Sequence, residues 1–175
     1  ESFKMEIEAI KRVRKDYPNL WVMIPFVRTV DELKHTITIL ENEGLKRGPD
    51  FKLWMMTEIP ANIFLIDKFI DAGIDGISIG SNDLTQLVLG IDRDSEKLQE
   101  TFDERDEAVM AALEIAVKAA KAKGITASIC GQAPSVYPGL TEKLVAWGIT
   151  SVSVSPDMIG TTREIIARAE AKLKK

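Results

Sequence analysis

The 175 residues are 45% hydrophobic and 29% charged, the balance of a globular chain and not of a disordered one. Net charge is 23 − 27 = −4, which disfavours wholesale binding of nucleic-acid phosphates. No apolar run approaches the about 18 residues of a membrane span, and the single cysteine, Cys130, excludes an internal disulfide and fits a reducing cytoplasm.

Helical periodicity is already running at Glu1, with Phe3, Ile7, Ile10 and Val13 on one face, so the chain reads as a piece of a longer protein. The basic run Lys11 to Lys15 reads as a solvated helix face. That helix ends near Tyr17-Pro18-Asn19, and Leu20 to Val27 follows as a buried strand. Asp31 to Glu43 is a helix with Leu33, Ile37 and Leu40 inward; Thr29 caps it, with Glu32 placed for a capping box. Gly44 and Gly48-Pro49 stop it. Lys52 to Thr57 is a strand, and Pro60 opens a helix that Gly73 ends. Ile74 to Ile79 is the next strand. A loop containing Asp92-Arg93-Asp94 leads to a long helix from about Asp103 to Lys123. Strand Thr126 to Cys130, helix Leu140 to Trp147, strand Thr150 to Ser155 and helix Met158 to Lys174 complete the chain. Trp21, Trp54 and Trp147 read as packing residues.

Strands that each lead into a helix demand a parallel sheet covered by helices. The first strand is followed by no glycine-rich phosphate loop. Polar residues instead end successive strands: Arg28, Glu58, Asn82 with Asp83, Cys130 and Ser155. An open doubly wound sheet would gather them at one switch point. A barrel spreads them around its mouth. The expected fold is therefore α/β, the C-terminal portion, about five βα units, of a (β/α)8 barrel, with further units upstream.

Glu58 and Asp83 end adjacent strands, where two carboxylates can share a hard divalent cation such as Mg²⁺; the alternative is a pair of helix-capping or lysine-paired acids. The chain has no HExxH or CxxC and one histidine, which argues against zinc. Cys130 is either an inert buried thiol or, beside Gly131-Gln132 at a ligand face, an acid, base or nucleophile. Asn82 either orients an anionic substrate group or caps a helix. Arg28 binds an anion or pairs with a loop acid. His35 reads as an exposed helix residue.

Four motifs taken together carry a family resemblance. Met23-Ile24-Pro25-Phe26-Val27-Arg28-Thr29, Thr57-Glu58-Ile59-Pro60, Ser78-Ile79-Gly80-Ser81-Asn82-Asp83-Leu84-Thr85-Gln86 and Ile129-Cys130-Gly131-Gln132 resemble, in order and spacing, the phosphoenolpyruvate-utilising enzymes. Leu89-Gly90-Ile91-Asp92-Arg93-Asp94 and Phe102-Asp103-Glu104-Arg105 resemble its pyruvate, water dikinase branch. The resemblance spans essentially the whole chain, read as one unit, 1–175: the later part of the pyruvate/phosphoenolpyruvate-binding barrel. It implies Glu58 and Asp83 as Mg²⁺ ligands and Gly80, Ser81 and Asn82, with those two acids, as the substrate pocket. Cys130 would be the proton donor and acceptor at the pyruvate methyl carbon. The reaction implied is ATP, pyruvate and water to phosphoenolpyruvate, AMP and phosphate.

The implied partners are a phosphohistidine domain and a nucleotide-binding domain of the same parent chain. The resemblance also implies a cytoplasmic homo-oligomer that binds neither nucleic acid nor membrane. His35 stands in no phosphohistidine context, and the phosphoryl-binding arginines of the upstream barrel units are not in this sequence. The chain alone is thus not expected to complete the reaction. The competing readings are an enzyme I-like phosphotransferase barrel and an assembly module without catalysis of its own.

Overall fold

The computed structural model describes residues 1–174, and at Gln99 the backbone only. Helix α1 (Ser2–Arg14) leads into β1 (Val22–Ile24), then α2 (Val30–Asn42), β2 (Leu53–Thr57), α3 (Pro60–Phe64) and α4 (Ile66–Asp71). β3 (Gly76–Gly80), α5 (Ser81–Leu89), α6 (Glu107–Ala122) and β4 (Thr126–Cys130) follow. The chain closes with α7 (Ala133–Val136), α8 (Pro138–Trp147), β5 (Ser151–Val152) and α9 (Ile159–Leu173).

The five strands are parallel and lie in the order β1-β2-β3-β4-β5. Each strand joins the sheet beside its predecessor, so the winding never reverses. A doubly wound sheet would show a reversal and a switch point; a monotonic order is the arc of a (β/α)8 barrel.

Strand side chains alternate in direction, which gives the arc two different faces. Leu53, Met55, Ile77, Ile79, Ala127 and Ile129 are buried against the helices. The residues between them form the inner face, where Met56, Ser78 and Ser128 stand in register and Gly80 stands opposite Cys130. The helices supply the outer half of the core: Leu33 and Leu40 from α2, Phe69 from α4, Leu84 from α5, Leu113, Ala116 and Val117 from α6, and Leu144 from α8.

Several expected boundaries shift for physical reasons. Leu20 to Val27 yields a ladder of three residues, Val22–Ile24, because β1 pairs on one side only and Pro25 has no N–H to donate. Trp21 is therefore not core but 48% exposed, and Val13 likewise stands outside the apolar stripe of α1. β5 shortens to Ser151–Val152 at the other edge of the sheet. The helix after Pro60 breaks at Leu65. The long helix begins at Glu107, capped by Asp106, whose side chain accepts the N–H of Ala108 at 2.8 Å. Helix α5 was anticipated only through the alternative that Asn82 caps a helix, and it begins one residue earlier, at Ser81. Its stop signal is present in Gly90, which takes the left-handed conformation (φ 65°) at the C-cap.

Candidate active site

The carboxyl ends of the adjacent strands β2, β3 and β4 carry Glu58, Asn82 with Asp83, and Cys130, while Ser155 lies beyond the shortened β5 and bonds Ser135. Glu58 follows β2 and is 5% exposed. Its Oε1 accepts the backbone N–H of Phe26 at 2.7 Å, across from the end of β1. Phe26 holds a left-handed backbone (φ 53°), uncommon for a bulky residue, which turns that N–H toward the carboxylate. Asn62, on α3, is fully buried and joins the same two strand ends. Its Oδ1 accepts from the N–H groups of Glu58 and Ile59 at 3.3 and 3.1 Å, and its Nδ2 donates to Val27 O at 2.8 Å.

Gly80 ends β3 opposite Glu58. A β-carbon there would lie 2.8 Å from Glu58 Oε2, so only glycine leaves that oxygen its place. Ser81, Asn82 and Asp83 form the first turn of α5. Asn82 is thus inside the helix and is not its N-cap. Its Oδ1 accepts the N–H of Gln132 at 3.1 Å, tying the end of β3 to the loop after β4. That bond leaves the Nδ2 donors for a ligand.

Burial pushes the Glu58 carboxyl above the usual carboxylate range; the Phe26 N–H opposes this, and the charge of Asp83 adds to the rise. Among the described residues no lysine or arginine forms an ion pair with either acid. Two uncompensated carboxylates with hard oxygen donors fit a divalent cation. Among the described residues no group of three or more His, Cys, Asp or Glu side chains forms a ligand set, so water and substrate oxygens would fill the remaining positions, as Mg²⁺ prefers.

Cys130 ends β4 and is half-buried. Ser78 Oγ donates to its Sγ at 3.6 Å, and the thiol can donate to Ile79 O at 3.6 Å. Ser78 was absent from the sequence-based candidates. The signal was its position two residues before Gly80, on the same strand face.

Beside these groups lies a polar cleft of about 390 Å³, lined by Asn82, Arg93, Asp94, Phe102 and Gln132. Arg93 makes no ion pair among the described residues. It brings a cation to the cleft that sequence reasoning had noted only within a loop motif. Arg28, by contrast, is engaged locally, with its guanidinium 5.7 Å from the centroid of the Phe26 ring. Its side chain is exposed and paired with Glu32 at 3.3 Å, while Glu32 also accepts the Arg28 N–H at 2.8 Å. The capping box is therefore only half formed: Thr29 accepts the Glu32 N–H at 3.1 Å, but Glu32 reaches back past Thr29. His35 is exposed on α2, away from the strand ends.

The profile of the PEP-utilising enzyme, PEP-binding domain, matches residues 1–171. The chain belongs to this family. It is 54% identical over 98% of its length to the probable phosphoenolpyruvate synthase of Staphylothermus marinus. The corresponding figures are 52% over 98% for the phosphoenolpyruvate synthase of Aeropyrum pernix and 48% over 93% for that of Escherichia coli K12. It spans about a fifth of those relatives, 21% of each.

Solved structures extend the fold likeness beyond the family. An HpcH/Hpal aldolase/citrate lyase family protein from Burkholderia cenocepacia J2315 superposes at TM-score 0.59 and 15% identity, covering 89% of this chain and 65% of that one. The citrate synthase SbnG superposes at 0.57 and 20% identity, covering 88% and 63%. Five βα units matched to roughly two thirds of these chains agree with an arc of an eight-unit barrel. No helix among the described residues is long and apolar enough to cross a membrane.

Proposed function

We propose that this chain is the metal- and pyruvate-binding part of a phosphoenolpyruvate synthase, whose complete protein converts ATP, pyruvate and water to phosphoenolpyruvate, AMP and phosphate. The observation that carries the reading is the convergence of Glu58, Asp83, Asn82 and Cys130 on three neighbouring strand ends beside a polar cleft. The names of the relatives favour the synthase over an enzyme I-like phosphotransferase.

Pyruvate must lose a methyl proton before its carbonyl oxygen can accept a phosphoryl group. Cys130, as thiolate, takes that proton; the C–H electron pair moves toward the carbonyl and leaves negative charge on oxygen. The Ser78 hydroxyl donates to Sγ and so supports the thiolate. Mg²⁺ held by Glu58 and Asp83 would supply positive charge to the developing oxyanion. The Asn82 Nδ2 donors and Arg93 orient the carboxylate and phosphoryl oxygens in the cleft. The phosphoryl group arrives from a phosphohistidine on another domain of the parent protein, so the residues of this chain carry out the proton transfer and the binding.

Calorimetric titration of Mg²⁺ with oxalate into the full-length protein, without nucleotide, tests the reading. Binding should weaken sharply in Asp83→Asn, which removes one ligand charge. Equal affinity in the variant would overturn the assignment.

A further inference from the structure

Glu104 is a buried carboxylate that the proton-transfer chemistry does not use. It lies in the segment between α5 and α6 and is 4% exposed. Burial raises its pKa, opposed by the Ser81 hydroxyl and the Ala133 N–H and aided by nearby Asp103. No lysine or arginine pairs with it among the described residues. Burying an unpaired acid is costly, so its contacts call for an explanation.

Those contacts reach two different strand ends. Glu104 Oε1 accepts the Ser81 hydroxyl at 2.7 Å, at the first residue of α5. The backbone N–H of Ala133, the first residue of α7, faces the carboxylate closely enough to favour its charged form. Ser81 and Ala133 are both fully buried. Ser81 immediately precedes Asn82 and Asp83, and Ala133 closes the loop that starts at Cys130. The two loops are also packed tightly: a β-carbon on Gly131 would lie 2.2 Å from Ser81 Oγ.

We propose that Glu104 is a positioning residue, a tie that sets the distance from Asn82 and Asp83 to Cys130. The inference rests on the functional reading given above. Glu104 also anchors the segment that carries Arg93, Asp94 and Phe102 to the cleft. Reach, and not charge, is what the tie requires. A glutamine of equal length presents its carbonyl to the Ala133 N–H and donates to Ser81, whose hydroxyl can reverse. An aspartate keeps the charge but is one methylene short.

The experiment compares Glu104→Gln and Glu104→Asp in the full-length protein. Exchange of pyruvate methyl protons with solvent gives kcat and KM, peptide-resolved alkylation of Cys130 reports thiol placement, and circular dichroism reports the fold. Glu104→Asp should lower the kcat of exchange by about 10- to 100-fold, the effect of a displacement on the order of 1 Å. KM for pyruvate should hold, and the alkylation rate of Cys130 should change. Glu104→Gln should stay near wild type in all readouts. Equal loss in both variants, or loss confined to glutamine, would show a role for charge and overturn the proposal. Wild-type behaviour of aspartate, or loss of the fold in either variant, would also overturn it. Absence of exchange in the wild type would instead refute the functional reading, and the alkylation pattern would then decide the role of Glu104.

Discussion

Glu58 Oε1 and the backbone N–H of Phe26 meet at 2.7 Å, across the ends of two adjacent strands. The bond occupies one carboxylate oxygen and leaves Oε2 beside Gly80 as the available ligand atom. Phe26 adopts its left-handed backbone at a cost of about 1–3 kcal/mol. Orientation of Glu58 is the compensating return.

Gly80→Ala isolates that oxygen. The backbone of Gly80 (φ −82°) accepts alanine without strain, so fold stability should fall only modestly. The new methyl group would press on Oε2 and on Met56 Cε at 2.8 and 3.0 Å. Mg²⁺ affinity measured by calorimetry should drop about tenfold or more, corresponding to about 1.4 kcal/mol or more. Unchanged affinity would mean that Oε2 is not a ligand.

Gly131→Ala should behave differently, because backbone and packing both object. Its φ of 101° is left-handed, and the added carbon would collide with Ser81 Oγ and press on Asn82 Oδ1. A stability loss of at least about 1–3 kcal/mol is expected from the backbone alone. Chemical denaturation of the full-length protein, following this domain, checks it. A loss smaller than that of Gly80→Ala would contradict the tight approach of the two loops.

The sequence made the strand-end chemistry legible because the inner and outer faces of β3 and β4 differ in character. Ile77, Ile79, Ala127 and Ile129 mark the buried side, so Gly80 and Cys130 fall on the other. Thr29 was legible as a cap, since its bond to Glu32 is local in sequence. Asn62 and Glu104 were not legible as site residues. Each acts through partners far along the chain, Val27 for Asn62 and Ser81 for Glu104, and no local period marks such a contact. Helix α5 was legible only as the helix that Asn82 would cap, because its first turn is the polar motif and its apolar residues Leu84, Leu87, Val88 and Leu89 fall in a single short stretch. Arg28 ended the expected strand, but its helical neighbour Glu32 captured it.

The stability of this domain should depend on pH through Glu104 in the sense opposite to most carboxylates. Its folded pKa is raised by burial, so the folded state holds the proton more tightly than the unfolded state. Stability therefore falls as pH rises from the ordinary glutamate value of about 4.3 through the raised value. Glu104→Gln has no charge to bury. It should match or exceed wild type in Tm above that window, with the advantage vanishing on acidification. Melting curves across pH check this; a Gln variant less stable than wild type at neutral pH would contradict it.

Asp75 provides a control at the opposite end of the strands. It accepts a bidentate pair of bonds from Arg47 at 2.9 and 2.8 Å and the Leu53 N–H at 2.9 Å. Burial pushes its carboxyl up, but these donors and Lys52 outweigh burial and hold it below the usual range. Its contribution is thus present above the unfolded pKa and lost as pH falls through the folded one. Asp75→Asn should cost about 1 kcal/mol after solvent screening. Turnover and Mg²⁺ affinity should not change, because barrel chemistry sits at the carboxyl ends. A catalytic defect without a stability defect would contradict this division of the fold.

Exchange of pyruvate methyl protons with deuterated solvent, followed by NMR in the full-length protein with Mg²⁺, tests the central claim most directly. Wild type should exchange, because Cys130 lies at the strand ends beside the acid pair and the cleft. Cys130→Ala should abolish exchange while leaving Mg²⁺ binding intact, since Glu58 and Asp83 are untouched. Retained exchange in Cys130→Ala would contradict the account.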